Sequence, residues 1–175
     1  MQTTLVPALR EALKGKVAPK PTSATLTCVT LKFEYPSAVR FKCSLCALCC
    51  GDTEKKARNI LLLKSEAEQI ARETQRKVAE FAEPALGFEP YHYRMKKTAE
   101  GKCLFLADCR CSIYGYRPLV CRFYPFELRN AGNDKFVFVH TGECPGIGKG
   151  PIIRKKFFVE LFAFFIEKMK ENTSK

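Results

Sequence analysis

Residues 41–50 read FKCSLCALCC, which places Cys43, Cys46, Cys49 and Cys50 within eight positions of a 175-residue chain that has ten cysteines in all. Two-residue spacers bring successive thiols close enough on one tight loop to share a metal centre. A cysteine used only as a small buried hydrophobe needs no such crowding. Four ionised thiols at this spacing also repel one another unless a cation compensates them. The stretch is therefore a candidate metal-ligating loop.

Upstream of it, residues 7–13 have the amphipathic pattern of a short helix and residues 17–23 read as a linker. The segment ATLTCVTLKFEY (24–35) alternates Val29, Leu31, Phe33 and Tyr35 as a half-buried strand does, and Pro36 ends it. Downstream, Asn59-Ile60-Leu61-Leu62-Leu63 suits a buried strand. Ser65 and Glu68 then make an S-x-x-E capping pattern, and Ala67, Ile70, Ala71, Thr74, Val78 and Phe81 recur at three and four, which predicts one helix running to Pro84. Two hairpins are expected, residues 91–97 with 102–106 and residues 126–129 with 136–139. Past Pro151, Ile153, Phe157, Leu161, Phe164, Phe165 and Met169 align on one face of a closing C-terminal helix over 151–172. The sum predicts an α+β fold, a small antiparallel sheet with packed helices and a cysteine-rich metal-binding core. It is expected to be a single domain, 1–175, built on one hydrophobic core, with a peripheral N-terminal segment at 1–25 and the cysteine-cluster core at 41–150.

With 46% apolar residues and 14 Phe the chain has the composition of a folded protein. The most apolar piece, FFVELFAFFI (157–166), is interrupted by Glu160 and far short of the ~20 residues of a membrane span, so no membrane partner is expected. Residues 1–25 hold no signal-peptide centre, which points to a cytoplasmic location where thiols persist as ligands rather than disulfides. The net charge of +12 suits a polyanion such as RNA or an acidic protein surface, but the basic residues are scattered in twos and threes and form no long run.

The remaining cysteines supply more specific signals. CLFLADCRCSIYGYRPLVCRFYPF (103–126) contributes Cys103, Cys109, Cys111 and Cys121, and TGECPGIGKG (141–150) contributes Cys144. Together with the 41–50 run, Cys103-Leu104-Phe105-Leu106, CSIYGYRPLVCRFYPF (111–126) and Cys144-Pro145-Gly146 make the chain resemble the CxxCxxCC cysteine-cluster family of zinc- or iron-chelating domains, which also occurs in flagellin lysine N-methylases. The resemblance covers about residues 41–150. It implies eight metal ligands, Cys43, Cys46, Cys49, Cys50, Cys103, Cys111, Cys121 and Cys144, and leaves Cys28 and Cys109 outside the set. Relatives usually have Gly where this chain has Ala47, and a glycine would ease a left-handed turn there.

Eight cysteines can build two four-thiolate zinc cages. C-x2-C-x2-C with a remote Cys-Pro is, however, the bacterial ferredoxin arrangement, which favours an iron–sulfur cluster of the [4Fe-4S] type with Cys43, Cys46, Cys49 and Cys144 as its first quartet. Two functions follow. In the first, an iron–sulfur cluster has a structural or redox role or, as the resemblance implies, assists lysine modification of a protein substrate. In the second, a non-enzymatic zinc module binds RNA or an acidic protein through its basic surface. No nucleophile elbow, H-E-x-x-H motif, radical S-adenosylmethionine loop or separate nucleotide-binding unit is present, so no reaction and no catalytic residue are assigned. Arg117 and Arg122 flank Cys121 and either neutralise thiolates or stack on Tyr114 and Phe123. Gly146-Ile147-Gly148-Lys149-Gly150 lacks P-loop spacing and is read as letting backbone approach Cys144, while His92 and His140 are read as sheet residues.

Overall fold

The computed structural model describes residues 32–54, 56–132 and 135–173. In chain order its elements are β1 (Lys32–Glu34), β2 (Arg40–Phe41), β3 (Leu61–Leu62), α1 (Lys64–Thr74), α2 (Val78–Phe81), β4 (Ala82–Pro84), β5 (Tyr93–Met95), β6 (Leu106–Ala107), β7 (Arg110–Cys111), α3 (Leu119–Phe123), β8 (Phe126–Asn130), β9 (Lys135–His140), β10 (Ile147–Ile152) and α4 (Lys155–Thr173). The α+β class holds. The helix expected at 7–13, the linker at 17–23, and Cys28, Val29 and Leu31 lie outside the described residues.

Among the described residues the strands form four small sheets, β1-β9-β8, β10-β2, β3-β5-β4 and β6-β7. Every pair is antiparallel except β1 with β9, which is parallel. The hairpin expected around 130–134 is β8 with β9, where Leu128 faces Phe138 and the alternation buries Phe126, Leu128, Phe136 and Phe138. Against that face α4 lays Phe158, Leu161, Phe162, Phe165 and Met169, all buried. The buried stripe differs from the expected one. Residues 147–152 pair as β10 with β2, so the helix begins at Lys155 and not at Pro151. Its seam centres on Phe158, whose ring stacks on Tyr35 at 5.1 Å and meets Phe126 edge-on at 5.1 Å, while Phe157 is 36% exposed. Each such ring contributes roughly 1.5–3 kcal/mol of burial.

The expected long helix is two. Gln75 takes a left-handed conformation (φ 55), and both it and Arg76 direct their N–H groups to Ala71 O, ending α1. The chain then turns so that Phe81, on the one-turn α2, is fully buried. Nor does Ser65 cap α1: the N-cap is Leu63, whose N–H donates to Glu66 Oε2 at 2.9 Å, and Ser65 Oγ is buried without a partner. The hairpin expected from 91–97 and 102–106 is replaced as well. Both edges of β5 are taken by β3 and β4, which leaves residues 97–103 only a turn (Thr98 N–H to Lys102 O, 2.7 Å) and one bridge, Lys97 with Cys103.

Among the described residues there are two apolar clusters in place of one core. Residues adjacent in sequence divide between them: Leu62 joins the cluster of Ile60, Ile70, Phe81 and Met95, whereas Leu63 joins the aromatic one. Leu63, the extended N-cap of α1, points opposite to Leu62, so the junction of β3 with α1 serves both. The same holds for α3, with Leu119 and Phe123 in the aromatic cluster and Val120 and Cys121 in the other. Among the described residues no helix is long and apolar enough to cross a membrane.

Candidate metal centre

The 41–50 run is shaped by two left-handed residues, Leu45 (φ 53) and Ala47 (φ 56), and then by a single 3-10 turn over Leu48–Cys50 closed by Cys50 N–H to Ala47 O at 2.9 Å. Gly51 follows and is buried. A Cβ here would stand 2.6 Å from Gly101 O and 2.8 Å from Lys102 Cα. Only glycine permits this approach, which lets Cys103 N–H reach Cys50 O at 2.7 Å and Asp52 N–H reach Gly101 O at 2.9 Å. Asp52 holds the strap from the other side: its carboxylate accepts from Arg58 N–H at 2.7 Å and Lys97 Nζ at 2.6 Å, and the Lys97 contact is the first cause of its lowered pKa.

Cys111 arrives on β7, paired with Leu106 across a two-residue turn in which Asp108 (φ 48) and Cys109 (φ 60) are both left-handed. That turn leaves Cys109 exposed. Cys121 sits within α3, whose first N–H, from Leu119, donates to Glu66 Oε1 at 2.6 Å. Glu66, 5% exposed, thus fastens the starts of α1 and α3 with one carboxyl, and burial pushes its pKa up to about 7 despite the two N–H donors.

These placements bring Cys49, Cys50, Cys103, Cys111 and Cys121 close enough to perturb one another electrostatically, and all but Cys49 pack in the cluster of Ile60, Met95, Phe105 and Ile113. Cys49 Sγ and Cys50 Sγ are 3.8 Å apart. The hydrogen bond between the two sulfurs is the first cause that lowers Cys49, to about 6 with Arg58 and Arg117 adding to it, and the first that pushes Cys50 up. Burial first, and neighbouring sulfurs after it, push Cys103, Cys111 and Cys121 up.

The other three expected ligands differ in exposure. Cys144 is buried, Cys43 and Cys46 are exposed. Their segments do meet: Lys42 N–H donates to Gly146 O at 3.1 Å, and a Cβ on Gly146 would collide with the Lys42 carbonyl. Tyr124 lies near both Cys144 and Cys49, and its phenol is pushed up by burial and then by Cys144. Arg117 covers the Tyr114 ring at 3.7 Å as expected, but Arg122 covers Phe164, at 4.7 Å, in place of Phe123.

The donor set fits a thiophilic cation. Thiols kept protonated by burial first and by one another second bind a metal by giving up those protons, and soft sulfur ligands select zinc or iron. Among the described residues no three Cys, His, Asp or Glu side chains already surround one ion position. Sequence reasoning missed Arg58, Tyr124 and Glu66. No spacing announces Arg58, Tyr124 falls within the motif-bearing 111–126 stretch without a ligand type, and the S-x-x-E pattern pointed to Glu68 in place of Glu66.

An α+β fold that gathers thiols from separate segments into one apolar pocket belongs to the metal-binding cysteine-cluster class. The chain belongs to the CxxCxxCC family, a proposed zinc- or iron-chelating domain, whose model matches residues 42–145 and so spans all eight expected ligands. It is similar to an uncharacterized protein of Methanocaldococcus jannaschii, 27% identical over 153 residues, which are 78% of this chain and 51% of the relative. The chain thus spans about half the length of the curated relative it matches. No solved structure matches the chain significantly.

Proposed function

We propose that the chain holds an iron–sulfur cluster of the [4Fe-4S] type on Cys43, Cys46, Cys49 and Cys144, with a structural and redox role. The observation that carries this is the contact of Lys42 N–H with Gly146 O, 3.1 Å, which sets the remote Cys144-Pro145 beside the C-x2-C-x2-C loop. Three close cysteines with one distant partner are what such a cluster uses. The other four, Cys50, Cys103, Cys111 and Cys121, then form a second sulfur set against the first. The nine described cysteines are all free thiols, in keeping with a reducing cytoplasm.

One distance favours a second reading. A tetrahedral zinc site with Zn–S of about 2.3 Å has sulfur–sulfur edges of about 3.8 Å, and Cys49 Sγ lies 3.8 Å from Cys50 Sγ. Zinc on that pair with two of Cys103, Cys111 and Cys121 would make the chain a non-enzymatic module, and its basic surface would then take RNA or an acidic protein. Metal and acid-labile sulfide analysis of anaerobically purified protein tests both. Brown protein with iron and sulfide is expected; colourless protein with stoichiometric zinc overturns the first reading. Assistance to lysine modification of a protein partner extends the first reading from the family resemblance. Methyl transfer to a protein in an extract should stop with Cys43→Ser, and its persistence would remove that extension.

A further inference from the structure

Residues 36–51 and 144–159 together hold six cations, Arg40, Lys42, Lys149, Arg154, Lys155 and Lys156, and no Asp or Glu, so half of the net charge of +12 falls on two segments. Far apart in sequence, these segments are joined by the pairing of β2 with β10, which runs on through Ile153 N–H to Val39 O at 2.9 Å into the start of α4. Phe41 and Ile147 are register partners and both pack on the aromatic cluster, so Arg40 and Lys42, one position to either side of Phe41, face away from it. All six cations are exposed. Gly150 lets the two strands close up: a Cβ there would stand 2.6 Å from Lys42 Cβ, and its carbonyl accepts from Arg40 Nη1 at 2.8 Å.

The acids that flank these segments leave most of the charge uncompensated. Glu143 pairs with Lys56 and Arg58, Glu160 reaches Lys156 at 3.8 Å, and among the described residues none pairs with Arg40, Lys42, Lys149, Arg154 or Lys155. Like charges gathered on one face repel one another, and a polyanion relieves them. Arg40 and Lys42, at i and i+2 of one strand, stand roughly 7 Å apart, a repeat that suits successive phosphates of an extended strand. Beside them lies an exposed ring: Phe157, on the first turn of α4, packs on Phe126, which Phe41 also meets, yet stays 36% exposed. Single-stranded nucleic acid uses this combination, a base stacking on the ring while the cations follow the phosphates. An acidic peptide matches the charge but brings no base, and a duplex keeps the faces of its bases hidden.

We propose that the β2–β10 ribbon and the first turn of α4 bind single-stranded nucleic acid, its phosphates on these cations and one base on Phe157. This rests on the basic-surface part of the second reading above and is independent of which metal the cysteines hold. The probe is a fluorescent oligouridylate of about 12 nucleotides, titrated into the full-length, metal-replete protein over a range of salt, with metal content measured on the same samples. Saturable binding is expected, with log affinity falling linearly with log salt. Lys149→Gln with Lys155→Gln should weaken it by about tenfold and lower the salt slope by roughly 0.7 for each charge removed. Lys42 is left intact because it adjoins Cys43. As a control, Lys64→Gln with Lys77→Gln removes the same charge from exposed positions on other elements and should change affinity by no more than about twofold. Phe157→Leu, which keeps apolar bulk against Phe126 and loses the flat ring, should cost about tenfold with the salt slope unchanged. If Phe157→Leu does not fold, the lysine variant decides alone. The matching deoxy strand separates the two sources: tighter binding of the ribose form assigns RNA, and equal binding assigns single strands of either kind. Polyglutamate or duplex RNA bound as tightly as the oligouridylate would overturn the proposal, as would a loss in the control equal to that in Lys149→Gln with Lys155→Gln. Affinity kept in both the lysine and the Phe157 variants would sink this face and leave the basic-surface reading standing, whereas no binding at low salt would remove both.

Discussion

Ala47 and Cys109 both occupy left-handed backbone, at φ 56 and φ 60. A side chain there costs about 1–2 kcal/mol relative to glycine, and glycine gives back roughly 0.4–1 kcal/mol through unfolded-state entropy. Ala47→Gly and Cys109→Gly should each stabilise the protein by about 0.5–1 kcal/mol in urea unfolding. Cys109→Gly should also leave the metal content unchanged, because its thiol is exposed on the β6–β7 turn. Glu66 gives a pH-dependent outcome. Its carboxyl titrates near 4.5 when unfolded and near 7 when buried, so between those values the folded state binds more protons. Stability should therefore fall as pH rises from about 4.5 to 7 and level off above, by on the order of 3 kcal/mol. Urea midpoints from pH 5 to 8 should show this slope in the native protein and lose it in Glu66→Gln, which cannot ionise. The residue types at the site were plain in the sequence, but the supporting atoms were not. Local pattern selects Glu68 as a cap, whereas Glu66 is chosen by reaching Leu119, far along the chain.

Elements were legible where one periodicity governed them. β8 and β9 alternate cleanly because one face meets α4, and α4 itself was visible in its aromatic spacing, though displaced by the strand that takes residues 147–152. The turn at 108–109 was not visible, because Asp-Cys is not the Asn-Gly or Asp-Gly pair that usually marks a two-residue hairpin. One demanding junction between elements is Gly51 against Gly101 and Lys102. Gly51→Ala should force the Cys49–Cys50 turn away from Cys103, destabilise the fold by about 1–3 kcal/mol and reduce retained metal. Thermal unfolding with metal analysis of the same sample checks both effects, and unchanged metal at native stability would show that the two segments need not touch.

At the scale of the molecule, Cys50 at the end of the 41–50 run, Cys103 and Cys111, and Cys121 on α3 meet in the second apolar cluster, while the aromatic cluster stands on β8, β9 and α4. Removing metal should therefore loosen the first set of segments and spare the second. Hydrogen exchange on chelator-treated protein is expected to rise at Cys50, Cys103 and Leu119 amides and stay slow along β8 and β9. Because burial holds Cys103, Cys111 and Cys121 above the ordinary thiol range, protons compete with metal for these sulfurs. Metal affinity should accordingly rise with pH through neutrality, measurable by chelator competition at two pH values. By itself the sequence determined the α+β class, the sulfur chemistry and the cysteine-cluster family, because each is carried by residue type and short spacing. Only the tertiary structure decided which thiols meet, which carboxyl braces them and which cations share a face. Those outcomes depend on close backbone approaches and buried partners between segments far apart in the chain, which no local periodicity encodes.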